Sequence, residues 1–108
     1  MKRYEGRRDG WAVDVTVNGR PLDPRLDLWS HSPTGFEWGY GGSGPAQLAL
    51  AILADYLADD EEALALYQQF KWALVAKLPK HAWRLTSRQI DEALQAIRSQ
   101  DIVAGGAS

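Results

Sequence analysis

An α+β fold is predicted by three features of the sequence. An early stretch alternates apolar and polar residues, later stretches repeat apolar residues every three or four positions, and a glycine-rich segment separates the two regimes. The expected architecture is a small antiparallel sheet of roughly three to five short strands in the N-terminal half, packed against about three C-terminal helices. The first of those helices is expected to be central and buried. A chain of 108 residues and 12.0 kDa fits one domain, assigned to residues 1–100, with residues 101–108 as a flexible tail ending Gly105-Gly106-Ala107-Ser108.

The firmest strand is residues 11–18. Trp11, Val13, Val15 and Val17 alternate with Ala12, Asp14, Thr16 and Asn18, the period of a strand with one buried face. Asp9-Gly10 and Asn18-Gly19 bracket it, and both dipeptides favour tight hairpin turns, so pairing is expected on either side. Residues 3–8 would precede it, and a short extended piece around residues 20–22 would follow before Pro21 and Pro24 limit the ladder. Leu26 and Leu28 alternate again. After a loop over residues 30–35, Phe36, Trp38 and Tyr40 fall on one face of another expected short strand.

Gly44 and Pro45 suit the start of a helix, and nothing in residues 48–57 breaks one. Leu48, Leu50, Ile52, Leu53, Tyr56 and Leu57 surround its circumference, which predicts a central position. Asp59 followed by Glu62 opens a second expected helix, about residues 60–78, and Pro79 ends it. Its apolar stripe is Ala63, Tyr67, Phe70, Leu74 and Leu78, leaving Gln68, Gln69, Lys71 and Lys77 for water. Trp83 and Leu85 flank Arg84 in an extended segment, read either as an edge strand or as a staple. Thr86 with Gln89 then forms a capping box for a third helix presenting Ile90, Ala93, Leu94 and Ile97.

Composition narrows the function classes. With no cysteine there is no disulfide, thiolate nucleophile or cysteine-held metal. The net charge of −2 and pI near 5.6 argue against a dedicated nucleic-acid binder. No stretch approaches the roughly 20 apolar residues of a membrane span, and Met1-Lys2-Arg3 lacks a following apolar run, so a cytoplasmic location is expected.

Gly39, Gly41 and Gly44 satisfy G-x-G-x-x-G, a pattern that can offer backbone amides and a helix N-terminus to an anion. Glu37, Trp38, Tyr40, Gly41, Gly42, Ser43 and Gly44 are therefore the candidate ligand-binding residues. The competing view is that the glycines merely let the chain reverse tightly. Ser43 lacks the final glycine of a nucleophile elbow, and His31 and His81 sit in no recognisable triad or metal setting. No catalytic residue, cofactor or metal is expected.

Five tryptophans are the other unusual feature. Trp11, Trp38 and Trp72 fall at periodic positions compatible with burial, but Trp72 lies off the main stripe of its helix. It and Trp29 are the rings expected to be exposed or interfacial. Asp55, Asp59, Asp60, Glu61 and Glu62 make an acidic knot, and together with Trp72 they form the candidate partner surface. The first reading is thus a non-enzymatic interaction or accessory factor docking on another protein. The alternative is a binder, or enzyme, for a small anionic ligand such as a nucleotide or phosphate at the glycine turn. Burial in the core or self-association is the competing reading of Trp29 and Trp72.

The block FEWGYGGSGPAQLALAIL over residues 36–53, then YQQFK over 67–71 and WRL over 83–85, resembles a family of small uncharacterised bacterial and phage proteins, a domain of unknown function. Tyr4-Glu5-Gly6 fits as well. The resemblance reaches about Arg98 and implies occurrence on mobile or accessory genetic elements, where such a factor would inhibit a host protein. It assigns no catalytic residue.

Overall fold

In a computed structural model, residues 2–32 and 35–107 are described, with side-chain surroundings through residue 99. Four antiparallel strands, β1 (Arg3–Asp9), β2 (Ala12–Val17), β3 (Arg20–Pro21) and β4 (Ala82–Thr86), form one sheet in the order β3-β2-β1-β4. The helices are α1 (Ser43–Leu57), α2 (Asp60–Ala73) and α3 (Ser87–Ala107). The architecture is the α+β arrangement predicted, with Ala82–Thr86 settled as a strand.

Pairing follows the turns. Gly10 at φ 62 opens a two-residue loop closed by the Asp9↔Ala12 pair, and Asn18 and Gly19, both at positive φ, close the hairpin at Val17↔Arg20. The first turn is therefore Gly10-Trp11 rather than Asp9-Gly10. That shift corrects the expected burial of Trp11: its ring stands at the hairpin tip in solvent.

Register sorts the sheet into two faces. Val15, Gly6 and Trp83 form one inward row, and Val17, Tyr4 and Leu85 form the next. On the outward face the rows are Asp14-Arg7-Ala82 and Thr16-Glu5-Arg84, lining a shallow depression of about 650 Å³ that carries charges of both signs. Gly6 has a packing reason to be glycine, because the Trp83 indole occupies the space a side chain would fill. Trp83 in turn meets Trp38 edge-on, with centroids 5.6 Å apart.

The helix α1 is central, with every residue from 44 to 54 buried. Three expectations about the intervening segment change. Residues 36–40 are not a strand: the backbone bends at residues 39–40, with Gly39 at φ 85, and is not part of the sheet. Their contacts are specific instead, with Trp38 Nε1 donating to the Lys80 carbonyl (3.0 Å) and the Gly39 amide to the Val75 carbonyl (3.1 Å). Leu26 and Leu28 lie in a turn held by the Leu28 amide on the Arg25 carbonyl. Finally, α1 starts at Ser43 with Gly42 as its N-cap, two residues earlier than Gly44-Pro45 suggested.

The Asp59 carboxylate caps α2 through the Glu62 amide (3.1 Å), as the spacing indicated. The predicted run to residue 78 is interrupted at Leu74, after which Val75–Lys77 forms a 3₁₀ turn. The Val75 carbonyl accepts both from the Leu78 amide within that turn (3.3 Å) and from the Gly39 amide, which docks the glycine turn. Thr86 and Gln89 form the capping box of α3, with the Thr86 amide donating to the Gln89 side chain (2.9 Å). Helical backbone continues to Ala107 through most of the tail expected over residues 101–108, and Ser108 lies outside the described residues.

Candidate functional site

The two central helices run as a hairpin, so the start of α1 lies beside the end of α2. Gly41 packs against the Trp72 ring and Gly42 against the Tyr40 ring, which joins the glycine turn to α2. Tyr40 and Trp72 are 48% and 58% exposed. They form one side of an aromatic rim around the helix start.

The other side of the rim is built by the 24–32 loop. Gln47, fully buried in α1, holds it with four hydrogen bonds. Its Oε1 accepts from the amides of His31 (2.7 Å) and Ser32 (3.1 Å), while Nε2 donates to the carbonyls of Pro24 (2.7 Å) and Trp29 (3.0 Å). Gln47 thus has a tertiary role, tying α1 to this loop. Trp29, 57% exposed, lies 5.7 Å from His31 between ring centroids. His31 Nε2 and the Tyr67 hydroxyl share a hydrogen bond of 2.6 Å. The sequence missed this pair because His31 is 36 residues away from Tyr67.

Lys71 is the second residue the sequence misplaced. It was expected in water but is only 8% exposed, with its ammonium 4.4 Å from the centre of a Trp72 ring. Its four-residue separation from the buried Tyr67 was the available signal, since i and i+4 share a helix face.

Below the rim, Arg8 fixes the turn. Its guanidinium grips Glu37 with two bonds, 3.0 and 2.5 Å, donates to the Lys80 carbonyl and lies over the Trp38 ring at 4.9 Å. Arg8 accordingly holds the Glu37 carboxyl below its usual range. Of the seven predicted ligand residues, Glu37, Trp38 and Gly44 are thus structural. Trp38 is fully buried and Gly44 sits against Glu37. Tyr40, Gly41 and Ser43 remain at the surface, with Gly42 half-buried under Tyr40.

The acidic knot does not present as one patch. Asp55 accepts from Lys2 Nζ (3.0 Å) and from the Tyr4 hydroxyl (2.5 Å), and burial together with that carboxylate pushes the Tyr4 phenol well up. Asp59 caps α2, Asp60 pairs with Arg25 (2.9 Å) and Glu62 with Arg98. These acids lie at the opposite end of the helix hairpin from Trp72, so the predicted partner surface divides into two separate regions.

Among the described residues, Ser43 makes no hydrogen bond to a histidine, and no three histidine, aspartate or glutamate side chains converge as a metal site. No described helix is long and apolar enough to cross a membrane.

Burial and the nearby Lys71 charge lower the pKa of His31 from its ordinary 6.5. The unfolded chain therefore takes up that proton first. Stability contributed by His31 is present above pH 6.5 and is lost as the pH falls through the depressed folded value. Denaturant midpoints measured between pH 7.5 and pH 5 (about this range) should fall in the native chain and fall less in His31→Gln.

No match was found among curated proteins or solved structures. The family model that does match spans residues 4–96, from the Tyr4 that anchors β1 to α1 through the Arg8 clamp, Gln47 and the rim to the apolar face of α3, and on that match the chain belongs to a family of unknown function (DUF6166).

Proposed function

We propose that the chain is a non-enzymatic protein-binding module that docks through the aromatic rim around the start of α1. The observation that carries this reading is the set of half-exposed rings Trp29, Tyr40 and Trp72, held on a fixed frame by Gln47 and the Arg8–Glu37 pair. Large rings exposed without sequence-local need are costly in water, and they are the side chains that most often anchor protein contacts. Their frame is rigid, so little ordering would be required on docking.

Capture from a lysate of the producing cell, using the native chain beside Trp72→Ala and Tyr40→Ala, tests the reading. Both substitutions should lose the captured protein by about tenfold or more, while stability shifts by less than about 1 kcal/mol because both rings are half in solvent. Glu61→Lys, at the far end of the hairpin, should leave capture unchanged. If capture instead follows Glu61→Lys and ignores Trp72→Ala, the working surface is the acidic end. A dimer in sedimentation that disappears with Trp72→Ala would assign the rim to self-association.

A further inference from the structure

We infer that the rim accepts an acidic side chain of its protein partner, seated on the Lys71 ammonium beside the Trp72 ring. The inference rests on the docking role proposed above and names the chemistry that the surface selects.

Lys71 differs from the other anchored cations of the chain. Lys2 is paired with Asp55, Arg8 with Glu37, Arg25 with Asp27 and Asp60, and Arg98 with Glu62. Lys71 is more than nine-tenths buried, yet among the described residues it has no ion pair and no hydrogen bond, only the face of Trp72. Among the described residues the buried side-chain polar atom without a hydrogen-bond partner is Trp83 Nε1, so the Lys71 stem is covered while its ammonium keeps contact with water and is open to an acceptor. The chain has 14 Asp and Glu against 12 Lys and Arg, and the acids of the helix hairpin, Asp55, Asp59, Asp60, Glu61 and Glu62, gather at its other end.

The surroundings share the sign of Lys71. Gly41 lies against the same indole, and two residues on, Ser43 and Gly44 open α1 with amides that have no acceptor within the helix. The stem of Lys80 packs against Gly39 in the same turn. The one carboxylate there, Glu37, is already held by Arg8. A chain of net charge −2 therefore presents a cationic spot at the centre of its exposed aromatic surface. An Asp or Glu flanked by apolar residues complements that combination, the rings covering the apolar part and the ammonium the carboxylate.

A lysine in the last turn of a helix also complements the helix dipole, and its stem covers apolar surface. That role predicts a loss of stability on removal and no effect on recognition. Binding is consequently the deciding measurement.

The full chain would be used to select from a phage-displayed library of random peptides, and the enriched peptides made with both termini capped so that only side chains carry charge. The expected result is enrichment of sequences with Asp or Glu next to apolar or aromatic residues. Affinity for such a peptide should fall about tenfold or more in Lys71→Met, much less in Lys71→Arg, and should weaken with added salt. Circular dichroism establishes that the variants are folded. Should Lys71→Met fail to fold, the salt response of the native chain and Lys71→Arg carry the comparison. Peptides without acids, or binding indifferent to both salt and Lys71, overturn the inference while leaving the docking role intact if Trp72→Ala still abolishes binding. No enrichment, or binding indifferent to Trp72→Ala and Tyr40→Ala, overturns the docking role and the inference together. A thermal shift with inorganic phosphate or ATP that disappears in Lys71→Met, without acidic peptides being selected, reassigns the ammonium to a small anion and likewise overturns it.

Discussion

Gln47→Leu is expected to lower the free energy of unfolding by about 2–4 kcal/mol, although leucine fits the volume and the helix. The substitution leaves two amides, on His31 and Ser32, and two carbonyls, on Pro24 and Trp29, without their acceptor and donors. Each group so orphaned away from water costs about 1–3 kcal/mol, reduced where the loop opens and hydrates it. Opening is the second expected consequence. Amide exchange over residues 24–32 should accelerate far more than exchange in the sheet, and the His31–Tyr67 contact should be lost. Equal protection of that loop in Gln47→Leu and the native chain would show that Gln47 is not what holds it.

Gly6→Ala should be nearly as damaging, at about 2–3 kcal/mol, from the addition of one methyl group. The methyl would enter the Trp83 indole, which is itself wedged against Trp38 and cannot swing into solvent. Relief requires parting β1 from β4 or moving two tryptophans. Tryptophan fluorescence should therefore shift along with the denaturant midpoint. The glycine turn offers the contrast. A side chain at Gly44 would meet Glu37 at 2.6 Å, close to backbone, and Gly39 sits at φ 85, so both replacements by alanine should cost stability. At Gly41 and Gly42 the obstruction is a half-exposed ring, Trp72 or Tyr40, which can turn aside. Those two alanines should disturb the rim more than the fold. A neutral Gly6→Ala would mean that the Trp83 packing is looser than its burial implies.

Much of the fold was legible because the signals are local. The period of two over Val13, Val15 and Val17, the Asn18-Gly19 turn, the Asp59 cap and the Thr86–Gln89 box each act within a few residues. The buried character of α1 followed from apolar residues around its whole circumference, and the exposure of Trp72 from its position off the stripe. The candidate site was legible only in outline. The glycine turn and Trp72 were both singled out, but for different roles, and their contact through Gly41 joins them into one surface.

The sequence by itself determined the three helices and the first three strands, since hydrophobic periodicity, turn residues and caps are short-range effects. Tertiary structure alone decided which polar groups are already satisfied. Lys2 reaches Asp55, Arg8 reaches Glu37 and Gln47 reaches Pro24 across 53, 29 and 23 residues, distances over which no spacing rule operates. The same holds for residues 36–40, whose backbone bends at Gly39 and bonds to Val75 instead of joining the sheet. Charge pairing and strand pairing both need a partner brought close in space, so Asp55, Asp60 and Glu62 of the knot are paired while Lys71 has no charged partner among the described residues.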